Sequence, residues 1–480
     1  MNQPTATKLS QLFGIDLRSL ALFRIGTGIL IIADLIDRSR DLSAHYTDFG
    51  LLPRHALLEK FANVWDWSLY NWSGTFQLEA LLFVVAGLCA AALLVGYHTR
   101  LATWASWILL VSLQARNPMV LQAGDILLRL MLFWGLFLPL GARYSVDQWR
   151  HPDAETGPGL VVSVATIALL LQVCFVYSFS AILKWHPIWI KDGTAVYYAL
   201  NIDQMTTPLG NFIRQFPLFM KGMTFATYAL EALGPFLFFF PWKNGPIRTL
   251  MIVIFISLHL GLGLCLELGL FHYIDMASLM VFLPAWFWDR RHQNRHPPIH
   301  LDLSIWKNSL ALCFLIFIVL WNLQTVSAKK FPLSQKIAWL GPLLKIDQMW
   351  GMFAPYPLME DGWYVIPGNL LNGKQVDLFR QGQPVDWNKP KLASTLYKNQ
   401  RWQKYMMNIW GANNYPYRLY YGQYLCRDWN TRHEGQEQVD NFEITFMRED
   451  TLPNYQIKAP EKVVIWKHYC FKVPETLPVR

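Results

Sequence analysis

Long apolar stretches alternate with short polar or aromatic loops from Ser19 to Val326, and the alternation stops there. A helix that crosses a bilayer needs about 20 mostly apolar residues, somewhat fewer where neighbouring helices bury its polar positions. Stretches of that kind fall at 20–36, 76–95, 101–114, 126–140, 159–183, 223–242, 247–270, 271–288 and 305–326. The third and fourth are short and the seventh and eighth abut. The pattern predicts an all-α polytopic membrane helix bundle of about nine spans.

Beyond Val326 the texture turns to Trp, Tyr, Asn and Pro, with alternating apolar positions at Trp363-Tyr364-Val365-Ile366 and Val463-Val464-Ile465-Trp466. Alternation with period two is a strand signal, and Asn372-Gly373 between short apolar runs predicts a type I′ hairpin. The expected units are a polar N-terminal segment at 1–18, a transmembrane bundle at 19–289, a cytoplasmic basic linker and last transmembrane helix at 290–326, and a C-terminal β-rich extramembrane domain at 327–480. The sequence contains no evident internal repeat or low-complexity segment.

Composition agrees with a bilayer as solvent: 53% of residues are hydrophobic and only 16% charged, against about a quarter charged in soluble proteins. The net charge of +9 is spread over short loops and the tail, so it reads as a topology signal and an affinity for anionic membrane lipid, with no nucleic acid expected. Lys8, Arg18, Arg100, Arg143, Arg150, Lys243, Arg248, Arg290, Arg291, Arg295 and Lys307 fall on one side if the N-terminus is cytoplasmic. An odd span count then puts the C-terminal domain outside, which in a bacterial inner membrane is the periplasm. The segment before Arg18 lacks the apolar run of a cleaved secretory signal, so it is expected to be retained.

Cys89, Cys174, Cys265 and Cys313 lie in apolar runs and read as small buried hydrophobes. Cys426 and Cys470 are the soluble-side pair; they lack zinc-site spacing, so no metal is expected, and a disulfide is open to them on an oxidising side.

Ionisable side chains within spans cost about 2.5–3.5 kcal/mol each for Arg, Lys or Asp and need a partner, a cavity or a function. This chain carries Arg24, Asp34, Glu79, Asp125, Arg129, Glu231, His259, Glu267, His272 and Asp275 in such places, which predicts a polar bundle interior. Asp125 and Arg129, four apart, suit an internal ion pair. His259 and Glu267, eight apart with Gly261, Gly263 and Gly269 between or beside them, share a broad helix face. Lys184, followed by Trp185, Pro187 and Trp189, reads either as a snorkelling interfacial lysine or as a general base whose ammonium is disfavoured at a dry boundary.

Leu22-Phe23-Arg24-Ile25-Gly26, the stretch Ala44 to Pro53, Arg143-Tyr144-Ser145-Val146-Asp147 and His259 leading into Gly269-Leu270-Phe271 together resemble the HTTM family. These are bacterial membrane proteins whose membrane region is similar to that of the vitamin K-dependent gamma-carboxylase. The likeness covers 19–289, and Trp350 to Pro357 extends it into the tail. It implies a reduced quinone of the vitamin K type as cofactor, catalytic roles for Lys184 and His259, and a carbon–carbon lyase reaction in which a quinol-derived base prepares a glutamate for carbon dioxide. The family's paired lysines are here Leu183-Lys184, a further family histidine falls at Gly124, and the tail is short for the carboxylase's substrate-binding portion. The main alternative is a non-enzymatic membrane assembly, maturation or partner-binding factor, its protein partner unspecified. A transporter would be expected to show paired halves, which the chain lacks.

Overall fold

A computed structural model of the chain describes residues 10–60, 63–151, 159–289, 299–302, 304–453 and 456–471. A helix stands at each predicted apolar stretch: α1 Leu17–Ser39, α2 Phe76–Val95, α3 Thr99–Arg116, α4 Ala123–Gly135, α5 Val164–Leu183, α6 Pro217–Leu237, α7 Asn244–Cys265, α8 Phe271–Leu279 and α9 Ile305–Val326. Among the described residues, α1, α2, α5, α7 and α9 are long and apolar enough to cross a membrane. The expected nine full spans therefore reduce to five on these criteria. At 1.5 Å per residue, the 13-residue α4 reaches only about 20 Å of a roughly 30 Å hydrocarbon layer. It is instead wrapped by its neighbours, with Leu127, Leu130, Met131 and Trp134 all fully buried.

Local signals set several of these boundaries. Ser163 caps α5 by accepting from the Thr166 amide at 3.1 Å, and Thr166 Oγ1 returns the bond to the Ser163 amide at 3.0 Å. Asp125 in the first turn of α4 accepts from the Gln122 amide at 2.8 Å. The helix α7 stops at Cys265 because Thr207 donates its amide to the Cys265 carbonyl (3.0 Å) and its hydroxyl to the Leu264 carbonyl (2.6 Å).

The two ends of the bundle are chemically distinct. At one, Arg18 bridges Asp16 and Asp289, and strands β1 Ile15–Asp16, β2 Leu160–Val162 and β3 Ile299–Leu301 form a small sheet. Arg24 is fully buried near this end, donating to the carbonyls of Leu140 (3.1 Å), Arg143 (3.2 Å) and Tyr144 (2.6 Å). The C-terminal region packs on the opposite end, where α1 finishes. Lys8, Arg290, Arg291 and Arg295 lie outside the described residues.

That region is mixed rather than simply β-rich. Its sheet centres on β7 Val439–Leu452; β4 Glu360–Val365 and β5 Pro367–Leu370 follow one another along one edge, β9 Glu461–Tyr469 lies along the other, β6 Gln375–Asp377 extends β5, and β8 Gln456–Ile457 pairs the end of β7. Two helices missed by the period-two reading, α10 Gln400–Trp410 and α11 Arg418–Asn430, pack against it. Their aromatic content resembles strand composition, while their buried positions follow helical spacing, as in Trp402, Tyr405, Met406 and Ile409. The hairpin stands at Asn372-Gly373, but only Gly373 takes positive φ (+81°) and its amide donates to the Leu370 carbonyl at 2.9 Å. This is a three-residue turn closed by a left-handed glycine, not type I′. Cys426 and Cys470 are joined in a disulfide.

A buried four-charge cluster fastens the region to the bundle. Arg38 donates to Asp34 (2.7 Å), Asp125 (2.5 Å) and the Tyr46 hydroxyl (2.7 Å), and Arg401 from α10 donates to Asp125 (2.5 Å), Asp34 (2.7 Å) and the Val120 carbonyl (2.8 Å). The expected Asp125–Arg129 pair is therefore absent. Asp125 is turned toward α1 and α10, while Arg129 reaches the Asp347 carboxylate at 3.0 Å. Burial and repulsion from Arg38 oppose the Arg401 charge, yet Asp125 and Asp34 outweigh both and raise its pKa above the ordinary value. Around the cluster, Leu51, Leu52, Met119 and Val120 from bundle loops share one apolar core with Tyr364, Tyr405, Ile409 and Phe442.

Arg401→Met is expected to leave two buried aspartates with a single cation and to destabilise the protein by about 3–5 kcal/mol. Thermal unfolding in detergent, with limited proteolysis to follow release of the C-terminal region, checks this. A melting curve matching the parent would show that the apolar core alone holds the junction.

Candidate functional site

Where the bundle meets the C-terminal region, the structure encloses a cavity of about 510 Å³. Its walls come from α5, α6 and α7, from the short helix Ala195–Leu200 and the loop after it, from Gly351 to Leu358, and from Gln400, Gln403, Lys404 and Met407 on α10. Most of the lining is apolar, with polar side chains set into it.

Three of them come from one face of α5. Tyr177, Ser180 and Lys184 are spaced three and four apart, which places them one above another on a helix. Lys184 caps the C-terminal end of α5 and is 3% exposed, so it does not snorkel. The reason lies across the cavity, where Glu231 on α6 accepts two hydrogen bonds from Nζ, one at 2.7 Å to each carboxylate oxygen. Trp189 stacks its ring 4.7 Å from Nζ and donates its indole N–H to the Phe353 carbonyl at 3.2 Å. The Trp350 to Pro357 motif thereby becomes part of the cavity wall.

His259 on α7 is equally enclosed. Its Nε2 stands 2.9 Å from the Tyr177 hydroxyl and 3.9 Å from Asp275 Oδ1 on α8. Three buried atoms on lining residues, Gln122 Nε2, Ser180 Oγ and His259 Nδ1, have no hydrogen-bond partner. Such atoms carry an unmet demand worth about 1–3 kcal/mol each, which a bound polar group satisfies.

Of the residues expected to matter, Lys184 and His259 thus share one cavity. Glu267 does not: α7 has already ended at Cys265, Leu266 bridges to Thr206, and Glu267 is exposed. Arg24 and Asp125 serve the bundle end and the charge cluster, and the Cys426–Cys470 bond is not part of the wall. Arg129 lines a separate, smaller cavity of about 190 Å³ with Asp66, Lys345 and Asp347. Tyr177 was not singled out from sequence, although its spacing to Lys184 carries the signal. The contributions of α10 had no local signal, since they depend on docking across more than 200 residues of chain.

Asp361, at the second position of β4, secures the loop that supplies Ile202 and Met205 to the cavity. It accepts from the Asp203 amide and from Gln204 Nε2 (2.8 Å), and Tyr397 donates to Gln204 Oε1 at 2.5 Å. Burial pushes the Asp361 carboxyl up to about 7; Asp203 adds to the rise and the Gln204 bond opposes it.

A family model described as the HTTM domain matches residues 14–286. No curated protein and no solved structure matches the chain.

Because the folded pKa of Asp361 lies above the unfolded value of about 3.9, its contribution to stability is fully present below that value and is lost as pH rises through about 7. Unfolding free energies in detergent between roughly pH 5 and 7 should therefore fall more steeply with pH in the parent than in Asp361→Asn, by at most about 1.4 kcal/mol per pH unit. Parallel pH profiles for the two proteins would contradict the assignment.

Proposed function

The chain belongs to the HTTM family, and we propose that its cavity holds a reduced quinone, or a comparable lipid-borne quinol, with Lys184 as the proton-accepting base. The observation that carries this reading is the convergence of Lys184–Glu231, Tyr177–His259 and the unpartnered Ser180 hydroxyl inside a mostly apolar cavity of an integral membrane protein. A large apolar pocket with a few convergent polar groups is what a quinone ring requires. The fit is supported by unmet polar atoms on three lining residues, Gln122 Nε2, Ser180 Oγ and His259 Nδ1, a demand that the ring oxygens of such a ligand would meet in part. When bound, such a group supplies an ionisable hydroxyl and reducing equivalents.

The chain's own residues would act as follows. Proton transfer from Lys184 Nζ to Glu231 across the 2.7 Å contact leaves a neutral amine and a neutral acid, with no change in net charge. The amine can then take a proton from a hydroxyl held at the cavity wall. Tyr177 orients the His259 ring, and Trp189 with the Trp350 to Pro357 motif keeps water from the Lys184 side. The finer reading, a gamma-carboxylase-like reaction, rests on the resemblance at Lys184 and His259. A non-enzymatic assembly or partner-binding role is favoured by a different observation: Lys184–Glu231 also ties α5 to α6, as a purely structural pair would.

For orientation we propose a bacterial inner membrane with the N-terminus cytoplasmic and the C-terminal region extracytoplasmic. Support comes from the disulfide and from α1, which starts after Asp16 and meets Arg401 of the C-terminal region near its other end, at Asp34. A cysteine introduced at Asn372 should react with an impermeant maleimide in intact cells, with the outer membrane opened; reaction only after the inner membrane is breached would reverse the orientation.

The base assignment predicts that Lys184→Arg, at matched membrane abundance, loses about 10²-fold or more of quinol turnover, because a guanidinium keeps its proton. Lys184→Ala should lose as much, and His259→Ala should share the defect. Full turnover or complementation by Lys184→Arg would leave a structural ion pair and turn the reading to the non-enzymatic role.

A further inference from the structure

Part of the cavity wall lies between α6 and α7. There α6 contributes Met223 and Thr227, and α7 contributes Ser257, Leu258 and Gly261. Ser257 lines the cavity and is also exposed on the outside of the bundle, so wall and outer surface meet at this point. A Cβ built on Gly261 would meet nothing within 4 Å, which marks open space rather than a close helix crossing. The Ser257 hydroxyl is bonded back to the Val253 carbonyl at 2.9 Å, so the seam presents no free polar group there.

The surface outside the seam is lipid-facing by its chemistry. Leu233 on α6 is 64% exposed, and Val253 and Leu264 on α7 are 55% and 60% exposed. Large apolar side chains left uncovered on helices of an integral membrane protein belong against acyl chains. The polar groups Lys184, Glu231 and His259 line the same space, with Glu231 one turn along α6 from Thr227 and His259 between Ser257 and Gly261 on α7.

We infer that the cavity opens sideways into the bilayer between α6 and α7, and that its ligand is a chain-bearing lipid whose polar head reaches Lys184 and His259 while its prenyl or acyl tail leaves past Gly261. This deepens the quinol reading by specifying a tail, and the seam itself rests on geometry alone. A ligand of this form never leaves the membrane to bind, so its access path needs no aqueous opening. The glycine at 261 leaves room for the tail, and the serine hydroxyl is hidden from it.

The test uses the full chain in lipid nanodiscs containing phosphatidylglycerol with a diazirine at the acyl-chain end. After illumination, peptide mapping should find adducts on cavity-facing Tyr177, Met205 or Met352. Gly261→Phe and Ser257→Phe, two independent plugs of the seam, should each reduce those adducts by about tenfold or more, whereas Gly261→Ala should not. Absence of cavity adducts in the parent protein, or unchanged adducts in both plugged variants with folded melting profiles, overturns the lateral opening. Adding a prenylated naphthoquinone as competitor separates the two ideas: loss of adducts supports the quinone, and persistent adducts at saturating competitor leave the opening standing while removing the quinone from it.

Discussion

Four charges buried at one end of the helix bundle hold the molecule together as a single unit. Asp34, Arg38, Asp125 and Arg401 are each nearly inaccessible, and every guanidinium is shared between both carboxylates. Removing such ions from water is costly, and geometry this close with satisfied hydrogen bonds is the condition under which the arrangement is tolerated. Three members come from α1 and α4; the fourth arrives from α10, more than 270 residues later. Without Arg401, the bundle carries an excess carboxylate in its interior. Docking of the C-terminal region is therefore part of the bundle's own charge balance.

The cavity follows from that constraint. The helix carrying Arg401 also carries Gln403, Lys404 and Met407, which close the space above Lys184 and His259. Asn399 caps this helix through the Arg401 and Trp402 amides at 3.0 and 3.1 Å and binds Asp41 through its side-chain amide at 2.6 Å, so the helix start is fixed in two directions. The Trp350 to Pro357 segment completes the wall through the Trp189–Phe353 bond. These contacts make the C-terminal region one wall of the cavity.

Hydrophobic period and span length made the helices legible, because a bilayer leaves few other solutions for so much apolar sequence. Lys184 and His259 were marked by their resemblance to a family pattern, and Tyr177 and Ser180 were recoverable from their spacing to Lys184. Other parts were hidden for identifiable reasons. Asp125 and Arg129 satisfied the helical pairing rule, but a partner distant in sequence offered Asp125 a better, two-pronged contact. Glu267 lay within an apolar run, yet tertiary bonds from Thr207 ended the helix before it. Helices α10 and α11 carry the aromatic composition of strands, which masks the helical spacing of their buried positions.

The central claim is that bundle and C-terminal region jointly enclose a lipid-borne quinol. It is tested most directly by mass spectrometry of the organic extract from protein purified gently in detergent, with the charge cluster intact. The account predicts a prenylated quinone retained at close to one per chain, and depleted in Arg401→Met, where the enclosure is loosened. An intact, folded preparation whose extract holds phospholipid and no quinone, even when quinone was abundant in the source membranes, would contradict it.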